Sequence, residues 1–174
     1  MKKIVLIAPL IFLTIICLFF LMFIILEKDP NDPPSALINK SMPVFSTTNL
    51  YNNKEFLFSD NLNGKFTLIN FFASWCTPCR AEHHLFFEIK KKIPELYILG
   101  FSHKDELNDS KKYLEDEGNP YSFVGIDQKG KIAFEFGVFG LPETFIVNSD
   151  GKIIFKHTGP LTKKIIDNEI ANLF

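Results

Sequence analysis

The feature that most constrains this chain is Trp75-Cys76-Thr77-Pro78-Cys79-Arg80, two cysteines two residues apart at a change of periodicity. Residues 66–73 before it form an apolar run of strand length, and Leu85, Phe86, Ile89 and Ile93 after it recur at helical spacing. The pair therefore sits where a buried strand gives way to a helix, with Cys76 in the helix's first turn. Free N–H groups and the positive end of the helix dipole favour a thiolate there. Pro78 suits the same turn, because the N–H it lacks would have had no partner. Two cysteines so placed can close a small disulfide and reopen it with little backbone motion. The competing reading is half of a zinc site, which needs a second pair of ligands. The one other cysteine, Cys17, lies in an apolar stretch, and His83 and His84 crowd the same helix. Redox chemistry is the favoured reading.

Residues 4–26 hold 23 positions without a charge. As a helix they span about 34 Å, enough to cross a bilayer core. Lys2 and Lys3 precede the stretch, so the positive-inside rule predicts a cytoplasmic N-terminus with everything after Glu27 on the far side. A cleaved signal peptide is disfavoured, because no small-x-small site follows the apolar core. The expected organisation is a membrane anchor over 1–26, a Pro-rich tether over 27–40 that is extended and unpacked, and one domain over 41–174. The 20 phenylalanines supply a sizeable core, and a net charge of −1 gives no reason to expect a nucleic-acid partner.

Within the domain, residues 44–46 and 56–58 flank a turn and predict a hairpin. Strands follow at 66–73, 96–101 and 122–126. Helices are predicted at 80–93, 105–117 and 130–136. Residues 144–147 and 153–156, joined by Asn148-Ser149-Asp150-Gly151, predict a second hairpin, and 161–173 a closing helix with Ile165, Ile166, Ile170 and Leu173 inward. Strands alternating with helices and ending in a hairpin imply a mixed α/β sheet covered on both faces.

A strand running into Trp-Cys-x-x-Cys and then a long helix resembles the thioredoxin superfamily. The runs WCTPCRAE (75–82), GVFGLPETFIVNSDG (137–151) and HTGPLT (157–162) are similar to the DsbE, or CcmG, family of thiol:disulfide interchange proteins. The resemblance covers essentially 41–174. It implies a thioredoxin-like fold with an N-terminal hairpin extension and an inserted strand–helix. It further implies a membrane-anchored, periplasmic-side reductase serving c-type cytochrome maturation. Its disulfide substrates would be apocytochrome c or haem-lyase components, and its electrons would come from a membrane donor of the DsbD or CcdA type. No cofactor or metal is implied. The Thr-Pro pair between the cysteines also occurs in TlpA- and ResA-like reductases of broader scope. A copper chaperone on the same scaffold is a further alternative, with His103 the histidine to consider.

Carried over residue by residue, the resemblance makes Cys76 the attacking thiolate and Cys79 the less accessible, resolving sulfur. It places Pro142, after Leu141, in a cis peptide facing the disulfide. Trp75 is expected to shield the nucleophile. Glu82, one turn beyond Cys79, and Glu143, just after Pro142, are expected on an acidic active-site surface. There they would tune redox and proton behaviour, since Asn70 stands where thioredoxin carries a buried Asp. His83, His84, His103 and His157 are expected to be solvated or locally hydrogen-bonded.

Overall fold

The structure, a computed structural model, describes residues 2–26 and 37–174. The chain divides into two units, Met1–Pro33 and Pro34–Phe174. In the first, helix α1 covers Lys2–Leu26. Its side chains are described only at Pro9 and over 11–22, and all but Ile16 are exposed. Among the described residues no helix is long and apolar enough to cross a membrane, so that expectation rests on the sequence of 4–26.

The second unit is built on a five-stranded mixed sheet. Its strands are β3 (Thr67–Phe72), β4 (Tyr97–His103), β5 (Phe123–Asp127), β6 (Glu143–Val147) and β7 (Ile153–Thr158), in the order β5-β4-β3-β6-β7. β3 is parallel to β4, and β4 to β5, while β6 is antiparallel to both β3 and β7. All six residues of β3 are buried. A central strand covered on both faces needs no polar alternation, which explains why its residues are mostly apolar, with Thr67 and Asn70 the polar exceptions.

Alternate side chains of the strands feed two cores. On one face Leu68, Phe72, Ile98, Val124 and Ile146 pack against α2 (Thr77–Lys92), α3 (Leu107–Asp116) and the closing helical segment, through Phe86, Ile89, Tyr113, Ile166 and Ile170. That segment is α-helical over Lys163–Ile165, π-helical over Ile166–Ile170 and 3-10 over Ala171–Leu173. On the other face Ile69, Phe71, Leu99, Phe101 and Phe145 meet α4 (Lys131–Glu135) and the N-terminal extension. Phe71 stacks on its register partner Phe101 at 5.1 Å, and Phe136 meets Phe71 and Phe145 at 5.5 and 5.3 Å. Each such ring pair contributes about 0.5–1.5 kcal/mol beyond its burial.

The N-terminal extension covers both edges of the sheet. The hairpin of β1 (Ser46–Thr48) and β2 (Phe56–Phe58) lies along β5. Thr47 Oγ1 accepts from Ile126 N at 2.7 Å and donates to Ile126 O at 3.0 Å, and Leu50 N donates to Val124 O. This docking explains why β1 begins at Ser46, two residues later than its sequence suggests. At the opposite edge Asn39 N donates to Ile153 O, Ile153 N to Lys40 O and Met42 N to Gly151 O. Leu37 and Ile38 pack on the second core. The unpacked tether expected over 27–40 is thus corrected at its C-terminal end: Leu37 and Ile38 pack on the core, Asn39 and Lys40 pair with the sheet, and 27–36 lie outside the described residues. Both edges have their free backbone groups partly paired within the chain, which blocks strand addition there.

α3 starts at Leu107 rather than 105 because Asp105 is bound elsewhere, as described below. Gly100 in β4 shows how tightly the first core closes. A Cβ there would lie 2.8 Å from the ring of Tyr121, which stacks on Phe72 at 5.1 Å. We expect Gly100→Ala to destabilise the domain by about 1–3 kcal/mol, read as a lower urea midpoint with unchanged m.

Candidate active site

β3 ends at Phe72, and the turn through Ala73 and Ser74 delivers the cysteines. Asp105, at the end of the β4–α3 connection, holds that turn: Ser74 N and Ser74 Oγ each donate to its carboxylate at 2.7 Å, and Ser110 Oγ donates at 2.6 Å. Cys76 is the N-cap of α2, with Pro78 in the first turn, and its Sγ accepts from Cys79 N at 3.2 Å. The structure is that of the oxidised state, a Cys76–Cys79 disulfide. The residues are 3% and 2% exposed, so the expected contrast in accessibility is absent here. What separates them is the backbone: Cys76 Sγ receives the helix-terminal N–H, while Cys79 lies within the first turn.

Leu141-Pro142 is a cis peptide, as expected from the resemblance, and Pro142 is buried. Trp75 stands 62% exposed, its Nε1 donating to Lys104 O at 3.3 Å. With Phe134, Val138, Phe139 and Leu141 it lines a hollow of about 330 Å³. The indole is therefore part of an open wall beside the cysteines rather than a closed cover.

Neither glutamate lies on an acidic surface. Glu82 is 1% exposed and Glu143 fully buried. Glu82 Oε1 accepts from Asn70 Nδ2 at 3.1 Å and Oε2 from Leu161 N at 2.6 Å. Asn70 also donates to Thr144 Oγ1 at 3.1 Å and accepts from Tyr121 OH at 2.9 Å. Burial dominates over these two donors and pushes the Glu82 carboxyl up to about 8. Glu143 points into the loop before it: Oε1 accepts from Phe139 N at 2.7 Å and Gly140 N at 3.3 Å. Its Oε2 forms an ion pair with Lys156 Nζ at 3.1 Å, at an angle too poor for a hydrogen bond. Each carboxyl group is buried with its oxygens taken by a side-chain amide, by backbone N–H groups or by a cation, and this corrects the expectation of an acidic surface.

The Redoxin family pattern matches residues 37–173. The thiol:disulfide interchange protein DsbE of Escherichia coli K12 is 34% identical over 178 residues, covering 100% of this chain and 95% of that one. HelX of Rhodobacter capsulatus, also a thiol:disulfide interchange protein, is 37% identical over 151 residues, covering 87% and 85%. Among solved structures, a DsbF homologue from Corynebacterium diphtheriae superposes with a TM-score of 0.69 at 16% identity, covering 84% and 97%; this likeness is one of fold. The chain belongs to the DsbE-type thiol:disulfide interchange proteins of the redoxin family.

The histidines of this DsbE-type protein are held locally where they are buried. His83 is 2% exposed, with Nε2 at 2.8 Å from Gly118 O, and desolvation lowers its pKa. His103 Nδ1 lies 3.1 Å from Asp127 Oδ2, and the same carboxylate takes the N–H groups of Ile132 and Ala133 at the start of α4. Among the described residues no cluster of His, Cys, Asp or Glu could hold a metal ion.

Sequence reading missed Tyr121, Asp105, Asp127 and Lys156. Asp105 and Asp127 follow strands and precede helices, a capping signal that points to the first turns of α3 and α4. Nothing local marks Lys156 or Tyr121, whose partners are distant in the chain.

The raised Glu82 group makes stability pH-dependent with a definite sign. In the folded chain Glu82 keeps its proton up to about 8, whereas the unfolded group ionises near 4.5. Between these values the unfolded state binds fewer protons, so its contribution is full below 4.5 and is lost as pH rises to about 8. The slope from this one group is at most about 1.4 kcal/mol per pH unit. Urea titrations of the oxidised protein across this range should show the fall, and Glu82→Gln should flatten it.

Proposed function

We propose that the protein is a membrane-anchored reductase of c-type cytochrome maturation that works outside the cytoplasm. The observation that carries this is the Cys76–Cys79 couple at the start of α2, with Cys76 Sγ on the helix-terminal N–H of Cys79. In the reduced protein the Cys76 thiolate attacks a sulfur of the partner's disulfide, forming a mixed disulfide and releasing the partner's other thiolate. Cys79, deprotonated, then attacks Cys76 Sγ. The S–S bond of the couple forms, and the partner leaves with two electrons and, after proton uptake, two thiols. Glu82, buried one turn beyond Cys79, has its pKa raised to about 8, near that of an ordinary thiol, so its ionised form can take the Cys79 proton. Pro142, Trp75 and Glu143 shape the surface beside the sulfurs.

The partner reading follows the family: apocytochrome c or a haem-lyase component receives the electrons, and a membrane protein of the DsbD or CcdA type restores them. Residues 4–26, apolar and preceded by Lys2 and Lys3, support an anchor with a cytoplasmic N-terminus. An oxidising compartment would hold the couple as a disulfide without such a donor, and the anchor keeps the domain near one.

Deleting the gene should abolish covalently haem-stained c-type cytochromes, and an added small thiol should restore them. Full cytochrome levels in the deletion strain would instead favour a general extracytoplasmic reductase. The division of labour has its own readout. Cys79→Ser should accumulate mixed disulfides with its substrate, visible on non-reducing gels, and Cys76→Ser should accumulate none. Trapping by Cys76→Ser alone would reverse the two roles.

A further inference from the structure

A lysine ammonium is seldom buried unless its charge is paired. The side chain of Lys156 is 4% exposed and that of its partner Glu143 fully buried. The ammonium touches more than the carboxylate. It donates to Gly137 O at 3.2 Å and stands 5.4 and 5.5 Å from the ring centroids of Phe139 and Phe145. Glu143 in turn takes the N–H groups of Phe139 and Gly140. The pair thus grips the segment between α4 and the cis-proline at Gly137, Phe139 and Gly140, by backbone and by ring.

That segment is one wall of the hollow whose other wall is Trp75, the residue before Cys76; Trp75, Phe134 and Phe139 are 62%, 79% and 84% exposed. A loop carrying an exposed aromatic, with Gly137 at φ 62° and Gly140 within it, has conformational freedom that the pair removes. The ammonium's partners are Glu143, Gly137, Phe139 and Phe145 rather than the cysteines. Its effect on the reaction must pass through the wall.

We propose that Lys156 is a positioning residue for the polypeptide part of a disulfide substrate. Its ammonium, through Glu143, Gly137 and Phe139, preforms the surface on which the chain flanking the partner's cysteine lies. Preforming a surface lowers the entropy lost on docking, so its removal weakens binding and leaves the sulfur chemistry intact. This rests on the reading that the substrate is a protein whose disulfide reaches Cys76 across the hollow.

The test compares a synthetic peptide containing an intramolecular disulfide with DTNB, a small disulfide that has no polypeptide to dock. In the full chain in detergent, Lys156→Met should raise KM for the peptide about tenfold and change kcat less than about twofold. Reduction of DTNB should stay within about twofold of the parent. Lys156→Arg, which keeps a cation, should recover most of the affinity. Amide exchange at Phe139 and Gly140 should accelerate in the Met variant while β3 stays protected, which separates loosening of the wall from unfolding. If Lys156→Met does not accumulate folded, Glu143→Gln combined with Lys156→Met is read for the same rise in peptide KM, because stranding one buried charge costs more than removing both. An unchanged peptide KM, or equal losses with peptide and DTNB, overturns the proposal. A parent protein that reduces DTNB but not the peptide overturns the protein-substrate reading, and the proposal with it.

Discussion

The hydrogen bond from Asn70 to Glu82 is the interaction on which most of the rest depends. Asn70 lies in the middle of the central strand, fully buried, and its amide must be satisfied there or cost about 1–3 kcal/mol. It is satisfied by three elements at once: Glu82 from α2, Thr144 from β6 and the Tyr121 hydroxyl ahead of β5. Glu82 adds a fourth by accepting from Leu161 N, where the chain turns toward its closing helical segment. The helix that carries the cysteines is therefore registered against the sheet by polar contacts as well as by Leu85, Phe86 and Ile89.

An amide suits this position because it both donates and accepts. An ionised Asp at 70 could only accept, so the donations to Glu82 and Thr144 would be lost. With Asn in the strand, the acid of this network sits on the helix instead, one turn beyond Cys79. Burial keeps that acid protonated through neutrality, and the amide network orients it.

Two further buried carboxylates do different work on the two sides of the sulfurs. Asp105 gathers Ser74 and Ser110 and fixes the turn that leads into Cys76. Glu143, neutralised by Lys156, gathers Phe139 and Gly140 and fixes the loop that leads into Pro142. Both loops are short and partly exposed, and neither could hold one conformation by apolar packing alone. Charge is spent on backbone N–H groups here, which explains why carboxylates so near the active site are not at its surface.

The sequence by itself determined the strand-to-helix placement of Cys76 and Cys79, the mixed α/β order and the inward face of the closing helix. Through family resemblance it also marked Leu141-Pro142. These are encoded locally, in apolar period, turn residues and motif spacing, so a reading of neighbours recovers them. Tertiary structure alone decided that Asn39 and Lys40 pair with Ile153 of β7, that Thr47 binds β5, and that Glu82 and Glu143 turn inward. It alone brought Lys156 to Glu143, and Tyr121 to Asn70, across 51 positions. Glu82 and Glu143 look like any solvated carboxylate in sequence. What makes them buried is the set of donors that distant segments bring to them, and those donors are backbone amides and side chains that carry no signal until the sheet has formed.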